Sequence, residues 1–518
     1  MSNKSNNRFE DRRIKLQIEL DGVKTKEERN KLGQYATPTT LARAVAARGL
    51  TLLPKSMPIR FFDGATNTGA LLSGVVAESR GRRIQSATGV EIDPHYAIPA
   101  SKLWRGAQNI IRGDFTQISA PTDDRKRATL LICNPPYVRH HHLKLTEKKR
   151  LQEAVQNTLG IRFSGLSGLY CYFIALSHDW LCNDGIAGWL IPSEFMDVNY
   201  GRKLKEYLLR EVTLLEIHRF DPNDTQFDDA VVSSAIVWFK KAKPPANHEV
   251  RISLGGTQKN PMIVRNISTR VLAGAEKWTR FPRQGPERKY QGYRLGDLFV
   301  IKRGIVTGAN DFFIIDEAKA QALKLPKRYL RPILPISRYI ARDEIKRDAT
   351  GIPRLAAERL FLIDCRLSEQ KIAQNEPALW AYLQSGIADF AQGYICRSRK
   401  LWYAQEQRTP APILCTTAGR SDHRRPPFRF LLNHSVAIAT NTLLMLYPRA
   451  MLGTRFLDSA ESLRPLWQEL NSINRNSFLA NCRVYGGGMH KMEPGELANV
   501  PADTLARLAG LPTKPGAS

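Results

Sequence analysis

Apolar residues in the first half of the chain fall into short blocks, separated by polar turns rich in glycine and proline. IRFFDG (59–64), SATGVEI (86–92), NIIRGDF (109–115), ATLLICNPPY (128–137), GIAGWLIPSEF (185–195), LLEIHRF (214–220) and AVVSSAIVWFKK (230–241) each contain an apolar run of strand length. ALLSGVVAESR and GLYCYFIALSHDWL carry the longer apolar stretches expected of helices. Strands alternating with helices predict an α/β domain around a largely parallel sheet. Little chain separates the last two strands, so an antiparallel strand is expected at the end of the sheet.

The flanks have a different pattern. Residues 1–24 are polar and predict a loose leader, and Thr25 to Glu28 has the spacing of a capping box that opens a short charged helix. In KLGQYATPTTLARAVAARGL, Pro38 suits the first turn of a helix whose apolar face carries Leu41, Ala42 and Val45. At 242–248 the sequence AKPPANH predicts a linker. The expected organisation is a leader and short helix over 1–30, an α/β domain over 31–245, and a linker with a second, mixed α+β domain over 246–518.

Composition narrows the class. The formal net charge is +28, from 77 Lys and Arg against 49 Asp and Glu, which suits a polyanionic partner such as nucleic acid. No apolar run is long enough for a membrane span, and the start of the chain lacks an apolar signal region. The seven cysteines form no CxxC pair, which fits reduced thiols in the cytoplasm rather than a disulfide frame or a zinc site.

The candidate chemistry sits at strand ends, where ligands of open α/β sheets bind. Asn134-Pro135-Pro136-Tyr137 follows the apolar strand TLLIC. An aromatic exocyclic amine is a poor nucleophile, because its lone pair is delocalised into the ring. The Asn134 side-chain oxygen and the Pro135 carbonyl can each accept one N–H of such an amine. Accepting both favours a pyramidal nitrogen, and the bonds tighten as positive charge develops. Pro135 and Pro136 stiffen the turn, and Tyr137 offers a face for stacking a base.

Three upstream strands end in residues suited to a ribose-and-adenine ligand. The loop Asp63-Gly64-Ala65-Thr66-Asn67-Thr68-Gly69 follows the first strand, and its small residues, Ala65 and Gly69 among them, allow backbone to approach a ligand. Glu91 and Asp93 end the second strand, about 20 residues past the loop, where an acidic group can bond ribose hydroxyls. Asp114 ends the third and could accept an adenine amine, with Phe115 lying on the ring. Each has a plain structural alternative as a cap, strand end or turn former. Their order at successive strand ends is what joins them.

This ordered set resembles the amino-group DNA methyltransferases of the gamma arrangement, the TaqI-like adenine methylases of restriction–modification systems. Tyr35-Ala36-Thr37-Pro38 matches that family's Tyr-x-Thr-Pro segment ahead of the glycine loop, while Gly64 departs from its more usual proline. The resemblance implies a Rossmann-like domain that binds S-adenosylmethionine through Tyr35, Thr37, Pro38, Asp63, Ala65, Gly69, Glu91, Asp93, Asp114 and Phe115. It implies catalysis by Asn134, Pro135, Pro136 and Tyr137, with Phe227 stacking on a flipped adenine. The expected products are N6-methyladenine in duplex DNA and S-adenosylhomocysteine, with no metal. A target-recognition domain is expected to follow the catalytic one. Segments 295–315 and 483–497 resemble such domains, and Gly304, Gly308 and Gly486 to Gly488 suit either DNA approach or tight turns. The block 394–435 interleaves eight Lys and Arg with Trp402, Tyr403, Phe428 and Phe430, as a nucleic-acid face would.

The short stretch before residue 31 leaves no room for an N-terminal nuclease domain. A stand-alone modification enzyme beside a separately encoded endonuclease is therefore expected. The same motif also suits methylation of RNA or of a protein glutamine amide, and an inactive DNA-binding relative is the non-enzymatic alternative.

Overall fold

The computed structural model describes residues 3–221, 233–283, 290–420, 427–457, 459–485 and 488–514. It divides into two compact units, residues 1–287 with 485–488, and the remainder.

The first unit is built on one nine-stranded sheet. Its strands are β1 (Ile59–Asp63), β2 (Ile84–Glu91), β3 (Asn109–Arg112), β4 (Ala128–Cys133), β5 (Leu181–Pro192), β6 (Thr213–Arg219), β7 (Ser234–Lys240), β8 (Glu249–Gly256) and β9 (Pro261–Ser268). Their order is β3-β2-β1-β4-β5-β7-β6-β8-β9. The first five are parallel, β7 runs antiparallel between β5 and β6, and β9 ends the sheet antiparallel to β8. The fold is thus the expected mostly parallel α/β sheet with an antiparallel end strand. The 214–220 and 230–241 pair lies further inside it than its position in the sequence suggests.

Helices cover both faces. α1 (Asn3–Val23), α2 (Lys26–Leu32), α3 (Thr39–Leu52), α4 (Ala70–Glu78), α5 (Pro94–Leu103), α6 (Leu145–Leu159), α7 (Leu169–Leu176) and α8 (Arg202–Arg210) precede or connect the strands. Leu41, Ala42 and Val45 of α3 are buried as the 3.6-residue period predicts. With Leu72 and Val75 of α4 they pack on Phe61, Leu130, Ile132, Leu190 and Trp238. The opposite face buries Leu151, Tyr172, Leu204 and Tyr207 of α6 to α8 against Phe62, Leu131, Trp189 and Val237. Central strands buried on both faces have to be continuously apolar, which is why ATLLIC stood out in the sequence.

Two expectations about boundaries change. The predicted loose leader is the 21-residue helix α1, which packs mainly through polar groups, with Phe9 set on Trp104, and so shows no continuous apolar stripe. The predicted boundary at 245 is too early. AKPPANH is a tight connection from β7 into β8, with Asn247 at φ 59°, and β8 and β9 continue the same sheet.

The second unit is α+β, as expected. Strand Phe299–Arg303 lies at the edge of a five-stranded sheet with Leu443–Pro448, Ile413–Thr416, Phe430–Asn433 and Glu344–Ile345. Two three-stranded sheets accompany it. Tyr403, Phe428 and Phe430 are core residues, and Trp402 packs on Phe312 and Phe313. These four aromatic residues of the basic block therefore pack into the unit rather than forming an exposed face, while Tyr394 at the start of the block is exposed. Gly304 serves internal packing, since a Cβ there would sit 2.2 Å from the Thr440 carbonyl oxygen, and Gly308 serves a turn at φ +87°. Gly486 and Gly487 lie outside the described residues.

Trp238 of β7 tests the packing. A Cβ on Gly188 of β5 would come within 2.3 Å of its indole, so only glycine leaves the ring room. Gly188→Ala is expected to cost about 1–3 kcal/mol of stability by overpacking, seen as a lower midpoint in chemical denaturation at an unchanged slope.

Candidate active site

The carboxyl end of β4 delivers Asn134-Pro135-Pro136-Tyr137 to the edge of the sheet. The Asn134 amide nitrogen donates to the Tyr35 carbonyl oxygen and to Thr37 Oγ1, each at 3.1 Å. A backbone carbonyl can only accept, so the amide has one sensible orientation. Its other atom, Oδ1, is buried without a hydrogen-bond partner among the described residues. None of the described residues donates to the Pro135 carbonyl oxygen either.

The segment before α3 makes this possible by lying against the motif. Gly33 sits at φ +64°, and a Cβ there would fall 2.4 Å from the Tyr137 backbone nitrogen. Only glycine allows this approach. Thr37 is buried, and Pro38 occupies the cap position of α3, so the segment enters its helix in a fixed direction. The Tyr137 hydroxyl donates to the Leu190 carbonyl oxygen at 3.1 Å, and its ring centre is 5.7 Å from that of Tyr35. Burial holds the Tyr137 hydroxyl above the ordinary tyrosine range, so it stays protonated.

The loops after β1, β2 and β3 stand beside the motif. Gly69 caps α4 at φ 87°, a left-handed conformation suited to glycine. Asp63 is 1% exposed and accepts the Ala65 backbone N–H at 3.1 Å. Glu91 is 6% exposed and accepts the backbone N–H groups of Asn67 and Asp93, each at 2.9 Å. Neither carboxylate has a basic group in direct contact among the described residues. Burial therefore dominates, and both are pushed up to about 7, Asp63 with a further contribution from the charge of Glu91. Asn67, at φ 48°, holds a buried Oδ1 with no partner among the described residues.

Asp93 and Asp114 are already engaged. Burial opposes ionisation of Asp93, but Lys24, Gln34 and the His95 backbone N–H outweigh it and hold the group below its usual range. Asp114 accepts from the Thr116 backbone and hydroxyl, from Gln117 Nε2, and from Arg150 at 3.3 Å. Phe115 is buried against Phe62, Phe173 and Trp180, with one side turned to Gly64. Phe227 lies outside the described residues.

Sequence reasoning missed how far α1 reaches into this region. Arg13, 3% exposed, donates to Thr68 Oγ1 at 3.1 Å and pairs with Glu10. Thr68 Oγ1 donates in turn to Gln17 Oε1 at 2.5 Å. Further along the helix, Asp21 accepts the Tyr96 hydroxyl at 2.7 Å. The helix thereby fastens the loop after β1 and the start of α5. Its contacts are mostly polar and, Phe9 on Trp104 included, reach residues far along the sequence, so no local pattern announces them.

Comparison with known proteins points the same way. The Eco57I restriction-modification methylase family matches residues 102–227, which include Asn134 to Tyr137, and the C-terminal domain of the type II methyltransferase M.Eco57I matches 287–510. The type II methyltransferase M.XamI of Xanthomonas campestris pv. amaranthicola is 28% identical over 487 residues, covering 92% of this chain and 86% of its own. M.AccI of Acinetobacter calcoaceticus is 23% identical over 490 residues, covering 91% and 85%. Along most of its length the chain is thus similar to type II restriction–modification methyltransferases. Among solved structures, the type IIL restriction-modification enzyme MmeI in complex with DNA shares the fold, with a TM-score of 0.52 at 12% identity over 95% of this chain and 67% of that one. The type IIG endonuclease BpuSI is matched over 58% of its length with a TM-score of 0.43 at 15% identity. The chain thus spans most of the length of these two curated relatives and rather more than half of these solved ones. No helix among the described residues is long and apolar enough to cross a membrane.

The raised carboxylates make the methyltransferase's stability depend on pH. Glu91 binds its proton more tightly folded, with a value of about 7, than unfolded, near 4.5. Its contribution therefore weakens as pH rises through that window. Glu91→Gln is expected to melt higher than the wild type at pH 8 and close to it at pH 5, as thermal melts at the two pH values would register.

Proposed function

We propose that this methyltransferase transfers a methyl group from S-adenosylmethionine to the N6 amine of adenine flipped out of duplex DNA, as the modification component of a restriction–modification system. The observation that carries the proposal is the buried Oδ1 of Asn134, which has no hydrogen-bond partner among the described residues. It belongs to an amide held by both of its N–H groups and stands next to the open carbonyl of Pro135. Two fixed acceptors without donors suit a group that brings two N–H bonds on one nitrogen.

The cofactor side has the acceptor groups such a ligand needs. The orphaned Asn67 Oδ1 and the nearly cation-free Glu91 line a loop open to polar groups, so the residues present fit a ribose-bearing ligand. Glu91 would hold ribose hydroxyls. Asp63, Ala65 and Gly69 would line the loop, and Asp114 and Phe115 would meet the adenine. Tyr35, Thr37 and Pro38 would close the wall they share with Asn134, and Asp93 would hold that wall in place through Lys24 and Gln34. When bound, S-adenosylmethionine supplies an electrophilic methyl group on sulfur.

The protein's own work is positional. An adenine amine within a stacked duplex is unreachable, so the base has to leave the helix. Tyr137 and Phe227 would then flank it. Asn134 Oδ1 and Pro135 O accept the two amine protons and draw the nitrogen towards a pyramidal shape, freeing its lone pair for attack. The nitrogen–methyl bond forms as the sulfur–methyl bond breaks, and the charge on nitrogen strengthens both hydrogen bonds. One amine proton then passes to solvent, so no strong general base is required. The excess of positive charge over the chain supports docking to a phosphate backbone.

Asn134→Ala removes one of the two acceptors. It is expected to lower methyl transfer to a duplex about 10²–10³-fold, while cofactor and DNA still bind. Transfer of labelled methyl groups from S-adenosylmethionine, alongside binding titrations, measures both. Turnover close to that of the wild type would remove Asn134 from this role.

A further inference from the structure

Arg219 is the last residue of β6, a strand that runs parallel to β4 and ends at the same edge of the sheet as Asn134. Its backbone pairs with Ala235 of β7 and Leu254 of β8, and its side chain lies with 7% exposure. Nε is buried without a hydrogen-bond partner, and no carboxylate oxygen among the described residues lies within salt-bridge distance of the guanidinium. A cation in such a place is costly unless something pairs with it.

The charged groups around Arg219 leave the pairing open. Among the described residues, Asp197, Asp221 and Arg283 are the ones that act on it. Asp197 is the main acid, but its carboxylate accepts the backbone N–H and hydroxyl of Thr279. Arg283 is exposed and of the same sign, so it draws in an anion and repels a cation. β6 is three strand spacings from β4, roughly 14 Å along the edge. That is close enough for one strand of nucleic acid to touch both places.

We propose that Arg219 anchors a backbone phosphate of the DNA strand that carries the extruded base. A guanidinium presents a planar fork of N–H donors that fits two phosphate oxygens, and here the fork is held nearly dry, with no carboxylate of the described residues in salt-bridge contact with it. The anchor sets the register of the strand against Asn134 and reads no base. The inference rests on the proposed DNA substrate and adds the residue that holds its backbone near the site.

The test compares the full-length wild type, Arg219→Gln and Arg219→Lys in binding to the methylated duplex over a range of salt, with cofactor binding and thermal melting as controls. Arg219→Gln is expected to bind DNA about tenfold more weakly, with a salt slope lower by roughly 0.9, the share of one phosphate. Arg219→Lys is expected to keep the slope, and cofactor affinity is expected to be unchanged in both variants. Neutral methylphosphonates placed singly along the duplex give a second measure. One position should weaken wild-type binding as much as Arg219→Gln does, with no further loss in the variant. An unaltered slope and affinity in Arg219→Gln overturns the anchor, as does a large fall in melting temperature with DNA binding intact. Methylation of the same duplex by the wild type, followed in parallel, separates that failure from a failure of the proposed substrate.

Discussion

The amide of Asn134 faces one way because its neighbours leave it no other. A main-chain carbonyl at Tyr35 and a hydroxyl at Thr37 take both of its N–H groups, and its oxygen is left buried and open. Much of the first unit can be understood as what this constraint needs. The parallel sheet brings β4 to the right edge, and two prolines stop the strand there. Gly33 lets the segment ahead of α3 come against the turn closely enough to orient the side chain. An unsatisfied buried oxygen works against stability in an empty site and becomes an asset when a substrate brings a donor.

The cofactor side follows the same logic with charge. Asp63 and Glu91 are buried among backbone N–H groups, not beside cations, so burial pushes both up to about 7. Positive groups stand one step removed. Lys24 goes to Asp93, and Arg13 goes to Glu10 and Thr68. The scaffold is thus pinned by ion pairs around the site, while the carboxylates proposed to meet the ligand remain available to it. Helix α1 supplies most of the pins, giving this polar segment a structural reason to be ordered.

The centre of the sheet was legible in the sequence because β1, β4, β5 and β7 are largely buried on both faces and so are mostly apolar. The site was legible for a related reason. Asn134, Glu91, Asp114 and the Asp63 loop all stand at the carboxyl ends of successive parallel strands, so the fold itself punctuates the candidate site. What escaped notice is held by side chains that carry no period. Helix α1 is amphipathic in hydrogen bonds instead of hydrophobicity. β8 and β9 hide behind AKPPANH, whose prolines signal a turn without saying whether a domain ends there. Trp402, Tyr403, Phe428 and Phe430 show the reverse error, for aromatic residues next to arginines look the same in sequence whether they stack on bases or fill a core. Arg219 could not have been singled out, since an arginine ending a strand is ordinary until its burial and lack of a partner are seen.

The central claim is that the acceptor pair at Asn134 and Pro135 serves adenine in DNA. The most direct measurement is to express the chain in cells that lack adenine methylation and to sequence their DNA by a method that reports modified bases. The account predicts N6-methyladenine at one short sequence motif and nowhere else. Unmodified adenine in cells that hold folded, cofactor-binding protein, or methylation found on cytosine, would contradict it.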